Sequence, residues 1–143
     1  AETRLQPVFV GDLGRAAANA VLDPEAAGRT YELGGPGVYT MREILEYVIA
    51  QTGRRRSLVA LPFPVAGLIA KLCAPIGLLT PIAPPITPGQ VEVLKSDNVA
   101  NPELPGLAEL GVAVPTTLEA VAPTYLYRFR KGGQFADQAL TAA

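Results

Sequence analysis

Between Arg56 and Glu92 the sequence carries a single charge, Lys71. So apolar a stretch invites reading as a membrane span, which needs about 20 uninterrupted apolar residues in regular helix. Here Pro62, Pro64, Pro75, Pro81, Pro84, Pro85 and Pro88 break the backbone, and carbonyls without partners are costly in lipid. The segment is therefore expected not to span. Its most helical part, residues 64–79, reads PVAGLIAKLCAPIGLL, an apolar helix whose last turn Pro75 cuts. The following TPIAPPITPG suits neither helix nor central strand and reads as a proline-stiffened crossing. Thr87-Pro88 then opens a short helix to about Leu94, with Pro88 at its first position. Two uses remain for such a segment. It can fill a core against the amphipathic helices, or it can leave Phe63, Leu68, Leu72, Leu78 and Leu79 exposed as a patch for a partner subunit or a membrane surface. Arg54, Arg55 and Arg56 would stand beside that patch, where anionic head groups could meet them.

Residues 29–53, RTYELGGPGVYTMREILEYVIAQTG, are the best specified locally. Residues 31–33 read as a short strand and the Gly34-Gly35-Pro36-Gly37 run as a forced turn. Residues 41–52 read as a helix. Thr40 and Glu43 have the spacing of a capping box, and Tyr39 and Ile44 flank it as a hydrophobic staple. Met41, Ile44, Leu45, Val48 and Ile49 make one apolar face, and Gly53 stands where a left-handed cap is wanted. This segment holds no acid, base or nucleophile in an evident catalytic arrangement.

The rest of the chain reads as short elements, in keeping with 14 prolines and 14 glycines in 143 residues. That length fits one domain with apolar content enough for a core. Residues 5–10 form a strand, with Pro7 placing it at an edge. Asp12 caps a helix to about Leu22 whose inward face is Leu13, Ala16, Ala17, Ala20 and Val21; Asp23-Pro24 and Gly28 end it. Residues 58–61 form another short strand. Residues 97–113 are loop, with one helical turn near residues 107–110. Thr116 and Glu119 give a second capping box ahead of a face of Leu118, Val121, Ala122, Tyr125, Leu126 and Phe129, with Pro123 kinking the helix. Gly132-Gly133 stop it, and residues 134–143 form a disordered, alanine-rich tail. The expected fold class is α+β, a mostly helical small domain with a short two- to three-stranded sheet.

The chemistry is constrained by what is missing. There is no histidine, the commonest general base and metal ligand, and the lone Cys73 sits among apolar neighbours as a packing residue. No disulfide can form within the chain and no metal site is expected, which points to a reducing compartment. A net charge of −1 gives no global case for nucleic acid. The basic clusters Arg54–Arg56 and Arg128, Arg130, Lys131 read first as solvated turns. Two motifs mimic cofactor chemistry. Gly11-Asp12-Leu13-Gly14-Arg15-Ala16-Ala17 has the outline of a dinucleotide-binding turn with Glu32 about twenty residues on, yet Asp12 would set a carboxylate beside the phosphates and no further βαβ units follow. Tyr127 and Lys131 have the Tyr-x-x-x-Lys spacing that tunes a tyrosine for proton transfer, but they abut a Gly-Gly stop with no serine a few turns upstream.

Three stretches carry a resemblance: QPVFVGDLGRAAANAVLDP, GRTYELGGPGVYTMREILEYV and KSDNVANPELPGLAELGVAVPTTLEAV. The last holds Asp97-Asn98, Leu110-Gly111 and Pro115-Thr116-Thr117-Leu118-Glu119 in order. Across residues 5–133 the chain resembles the C-terminal part of extended short-chain dehydrogenases/reductases. Its apolar, proline-rich segment and YLYRFRKGG ending look most like an atypical, complex I-associated branch and its bacterial relatives. The resemblance implies that residues 1–133 are the substrate-side C-terminal domain, with the Rossmann domain and its catalytic tyrosine and lysine outside this chain. It implies a non-catalytic module of an NADP(H)-binding protein associated with NADH:ubiquinone oxidoreductase, with NADP(H) or NAD(H) held by the parent. Partners would be the Rossmann domain and complex I subunits, with peripheral contact at the inner face of a bacterial inner membrane. Whether the parent is an enzyme stays open. An active NAD(P)-dependent sugar-nucleotide epimerase or reductase is one alternative, and a free-standing helical interaction domain another. By position, Gln6 and Pro7 would line the cofactor cleft and Arg4 would contact an anion.

Overall fold

The computed structural model describes residues 2–79, 86–130 and 132–133, with the side chains of 76–79 outside that description. The side chains of Leu78 and Leu79 of the expected patch therefore lie outside that description, and residues 80–85, Lys131 and 134–143 lie outside the described residues. The fold is α+β and largely helical. Strand β1, Arg4–Leu5, pairs antiparallel with β2, Tyr39–Thr40, in the register Arg4 to Thr40 and Leu5 to Tyr39. A parallel bridge from Leu5 to Asn98 adds a third line of backbone. Five α-helices follow in chain order: α1, Val10–Leu22; α2, Met41–Thr52; α3, Phe63–Leu79; α4, Pro88–Val93; and α5, Leu118–Leu126.

The strand expected over 5–10 stops at Leu5, and Pro7 explains why. It has no N–H for the ladder, so pairing passes to the Gln6 side chain. Gln6 Nε2 donates to the Gly35 carbonyl at 2.7 Å, and Gln6 Oε1 accepts from Ala100 N–H at 2.9 Å. The segment then turns directly into α1. The expected strand at 31–33 is also absent. Its extended backbone meets a loop instead, with Glu32 N–H donating to the Pro105 carbonyl at 3.0 Å and its carboxylate accepting from Asn101 N–H at 2.6 Å. Residues 58–61 are likewise irregular.

The glycines after Leu33 do something other than turn the chain. A Cβ at Gly35 would lie 1.9 Å from the Pro7 carbonyl oxygen, and one at Gly34 would lie 2.4 Å from the Gln6 side chain. They are bare because residues 6–8 run directly over them.

Helix α2 matches its sequence signals. Thr40 N–H donates to Glu43 Oε2 at 2.7 Å, Glu43 N–H donates to Thr40 Oγ1 at 3.2 Å, and Gly53 caps the far end at φ 63°. Helix α4 begins as expected at Pro88, with Thr87 and Gln90 forming a capping box of their own. Helix α1 departs from expectation. Its N-cap is Phe9, so Asp12 lies inside the first turn, and its buried line is Asp12 and Ala16 with Ala20 partly covered. Leu13, Ala17 and Val21 of the expected inward face are exposed. The N-cap of α5 is Thr117, which accepts from Ala120 N–H, so the expected Thr116–Glu119 box does not form.

Two separate small cores result. Ala16, Ala26, Leu107, Leu110 and Val112 form one, with Val8, Ala20, Tyr31 and Leu33 packed around it. Ala66, Ala70 and Val91 form the other, with Ile86. Half of these eight buried residues are alanines. Many of the large apolar residues face outward.

The two kinds of glycine separate under substitution. Gly35→Ala drives a Cβ into backbone and should destabilise by about 3 kcal/mol or more. Gly14→Ala, inside α1 with open space around the added methyl, should stabilise by roughly 0.5–1 kcal/mol. Urea unfolding of both variants checks the pair; equal effects would refute the close approach.

Candidate functional site

The residues singled out by sequence gather where the 4–12 segment crosses three other parts of the chain. Arg4 binds Asp97 twice, through its backbone N–H to Oδ1 and its Nε to Oδ2, both at 2.8 Å. The Arg4 N–H, then its guanidinium, hold the Asp97 carboxyl below its ordinary value. Two residues on, Gln6 N–H donates to the Asn98 carbonyl, and its side chain clamps Gly35 and Ala100. Thus Arg4 and Gln6 are brought together with Asp97-Asn98, a pair the sequence also marked. Pro7, Val8, Phe9 and Val10 continue as one wall of an apolar groove of about 350 Å³, whose other wall includes Thr116, Leu118, Val121 and Tyr125.

Bonded to Thr116 of this groove is Asp12, which sequence reading mistook for a helix cap. Its side chain is 0% exposed. Oδ2 accepts from Thr116 N–H, Oδ1 accepts from Thr116 Oγ1 at 3.2 Å, and Arg15 closes an ion pair from the next turn. A buried carboxylate is tolerated only with such partners, and its place in the first turn of α1 adds the favourable end of the helix dipole. The Thr116 N–H is the main reason the Asp12 carboxyl lies below its ordinary value; burial opposes this, and Arg15 reinforces it. A second tie joins β2 to α5, Tyr39 OH donating to Glu119 Oε1 at 2.9 Å. Burial and that carboxylate raise the Tyr39 phenol. Nothing local in the sequence pairs Asp12 with Thr116, 104 positions away.

The groove offers apolar walls and fixed backbone but no nucleophile or general base. The dinucleotide-like turn does not fit a pyrophosphate. A Cβ at Gly11 would lie 2.5 Å from the Phe9 ring, so that ring covers the glycine, and Asp12 is committed to Thr116. Tyr127 lies in a 3-10 turn, Tyr127–Phe129, at the end of α5. No group of three or more potential metal ligands clusters among the described residues.

The patch residues are well separated from this groove. Phe63, Leu68 and Leu72 are exposed on α3, while Ala66 and Ala70 of the same helix are buried in a core with Val91. Helix α3 packs mainly on α4, through alanines. Arg54 donates from Nε and Nη2 to the Phe129 carbonyl at 3.2 and 3.1 Å, and Arg130 Nε donates to Gln51 O at 3.0 Å, tying the end of α2 to the end of the chain. Arg55 and Arg56 are exposed.

Two outcomes test this geometry. Because the folded state holds Asp12 ionised, its contribution is present above the ordinary value of 3.8 and is lost as pH falls through the lowered folded value. Asp12→Ala should therefore lower the thermal midpoint by about 5–10 °C at neutral pH, with the gap to the parent closing below that value. A gap independent of pH would contradict the ionised latch. Calorimetric titration of the chain with NADPH should show no micromolar binding; such binding, abolished by Gly14→Val, would restore the dinucleotide turn.

Known proteins supply the remaining comparison. The chain is 36% identical, over 129 residues and 90% of its length, to the mitochondrial NADH dehydrogenase (ubiquinone) 1 alpha subcomplex subunit 9 of Mus musculus. It is 32% identical over 139 residues, 92% of the chain, to the protein of that name in Arabidopsis thaliana. To the mitochondrial NADH-ubiquinone oxidoreductase 40 kDa subunit of Neurospora crassa it is 30% identical over 138 residues, 94% of the chain. No family model matches it. The chain spans about a third of the length of these relatives, 33% of the mouse protein and 34% of the other two. Over nine-tenths of its length the chain is similar to a third of these NADH:ubiquinone oxidoreductase subunits.

Proposed function

We propose that this chain is the non-catalytic C-terminal module of an NADP(H)-binding protein that associates with NADH:ubiquinone oxidoreductase. The carrying observation is similarity over nine-tenths of the chain to subunits so named in an animal, a plant and a fungus. The structure supports it in kind. The groove beside Asp12 offers shape and apolar surface without acid–base machinery, and large apolar side chains lie exposed along α3.

In this reading a Rossmann domain outside this chain carries the cofactor, NADP(H) or NAD(H), and this module covers the cleft. Gln6 and Pro7 line it near the nicotinamide end. Arg4, paired through Nε with Asp97 yet with 61% of its side chain exposed, is the anion contact. The assembly acts at the inner face of a bacterial inner membrane. No helix among the described residues is long and apolar enough to cross a membrane, so attachment of this module is peripheral.

Affinity purification of the parent protein from mildly solubilised membranes tests the reading. The expected eluate contains the NADH:ubiquinone oxidoreductase subunits, and acid release from the purified parent yields a nicotinamide dinucleotide. A parent that elutes alone and turns over a sugar nucleotide would instead establish the epimerase alternative.

A further inference from the structure

Helix α3 wears its side chains inside out. Ala66 and Ala70 face α4 and pack on Val91 and Ile86. Val65, Leu68, Ile69 and Leu72, spaced i, i+3, i+4 and i+7, are exposed, Leu68 by 60% and Leu72 by 70%. A helix whose only neighbour was α4 would gain by the opposite arrangement, since burial favours the larger side chains. The small residues instead let α3 approach α4 closely while the outer stripe is kept for something else.

The composition of that stripe indicates what covers it. Protein interfaces are rich in aromatic residues and arginine at their centres and make about one hydrogen bond per 100–200 Å². The α3 stripe is wholly aliphatic, with no side chain able to give or accept a hydrogen bond. Acyl chains, which satisfy apolar surface without direction, suit it. The surrounding charge agrees. No acidic residue occurs between Arg56 and Glu92, and Arg55, Arg56 and Lys71 take part in none of the ion pairs among the described residues. Insertion across the bilayer is excluded by length and chemistry. Seventeen helical residues reach about 26 Å, short of a hydrocarbon core of about 30 Å. Lys71 sits mid-helix, and Pro75 removes the donor that its carbonyl needs.

We propose that α3 lies in the interfacial plane of an anionic lipid bilayer, with Val65, Leu68, Ile69 and Leu72 among the acyl chains and Arg55, Arg56 and Lys71 at the phosphates. Charge draws the chain to the surface and the stripe holds it there, as in other surface-lying helices. This deepens the peripheral attachment proposed above, but it rests on the helix alone and needs no complex I partner.

Flotation of the 143-residue chain with phosphatidylcholine vesicles, with and without phosphatidylglycerol, is the test. The chain should float with the anionic vesicles at low salt and be released by high salt. Arg55→Gln with Arg56→Gln should weaken partitioning roughly thirtyfold. Leu68→Ser with Leu72→Ser should abolish it, whereas Val114→Ser, an exposed apolar residue outside α3, should not matter. Circular dichroism melts matching the parent show that the variants fold. A readout that leaves the stripe intact uses the absence of tryptophan: a single Phe63→Trp should shift to the blue on vesicle addition and be quenched by brominated acyl chains. A parent that stays in the soluble fraction overturns the proposal. So does a leucine variant that floats like the parent but loses co-purification with the oxidoreductase, because the stripe is then a protein contact.

Discussion

The buried Asp12 carboxylate organises this domain. Among the described residues it is the largest side chain wholly removed from solvent, and a charge in that position dictates its surroundings. It needs donors, and Thr116 supplies two while Arg15 supplies a counter-charge. Once Thr116 is fixed there it cannot cap the helix that follows, so the cap passes to Thr117 and α5 starts one residue later. The start of α5 then brings Glu119 to the Tyr39 hydroxyl, which binds α5 to the head of α2. One carboxylate thereby fixes Thr116, which lines the groove together with residues 7–10 and α5.

The local grammar of the sequence was readable and the long-range pairing was not. Thr40 with Glu43, Gly53, and Thr87-Pro88 ahead of α4 signal elements whose partners lie within a turn, and each appears where expected. Asp12 and Thr116 were read by the same grammar, as a helix cap and a box residue. Both are instead halves of one contact across 104 positions. A short polar residue before a helix has the same appearance whether it bonds its own helix or a distant one. The glycines at 34 and 35 were seen as a signal but assigned to a turn, because crowding from Gln6 and Pro7 is a tertiary fact. For the groove, sequence resemblance brought out Gln6, Pro7 and the Asp97-Asn98 pair, yet gave no hint that the Gln6 amide substitutes for a ladder that Pro7 interrupts.

The failed strands share one cause. Residues 31–33 and 58–61 are apolar and β-prone, but a strand exists only where another edge receives its hydrogen bonds. At Glu32 a single backbone bond to Pro105 is all the described chain provides on one side. Propensity gave extended backbone without a ladder to join, which accounts for a two-stranded sheet of minimal size.

The distribution of apolar surface carries the argument from fold to role. Half of the sequence is apolar, 49%, yet the buried apolar side chains among the described residues are four alanines, two leucines and two valines, in two clusters that do not merge. Large exposed apolar patches on a monomer are rare because they favour association. Here they are ordered rather than scattered. On α3 the large residues share one outward stripe while the alanines share the inward one, a division that solvent exposure alone does not explain. The same helix is too short and too interrupted to leave water entirely. An element that is aliphatic on its outer face and closely packed on its inner face, in a stretch of sequence with no acid between Arg56 and Glu92, has the properties expected of a surface that lies against lipid. Asp12 and Thr116 join α1 to the start of α5, beside the other core, so the stripe proposed to meet lipid lies on a different cluster from the latch.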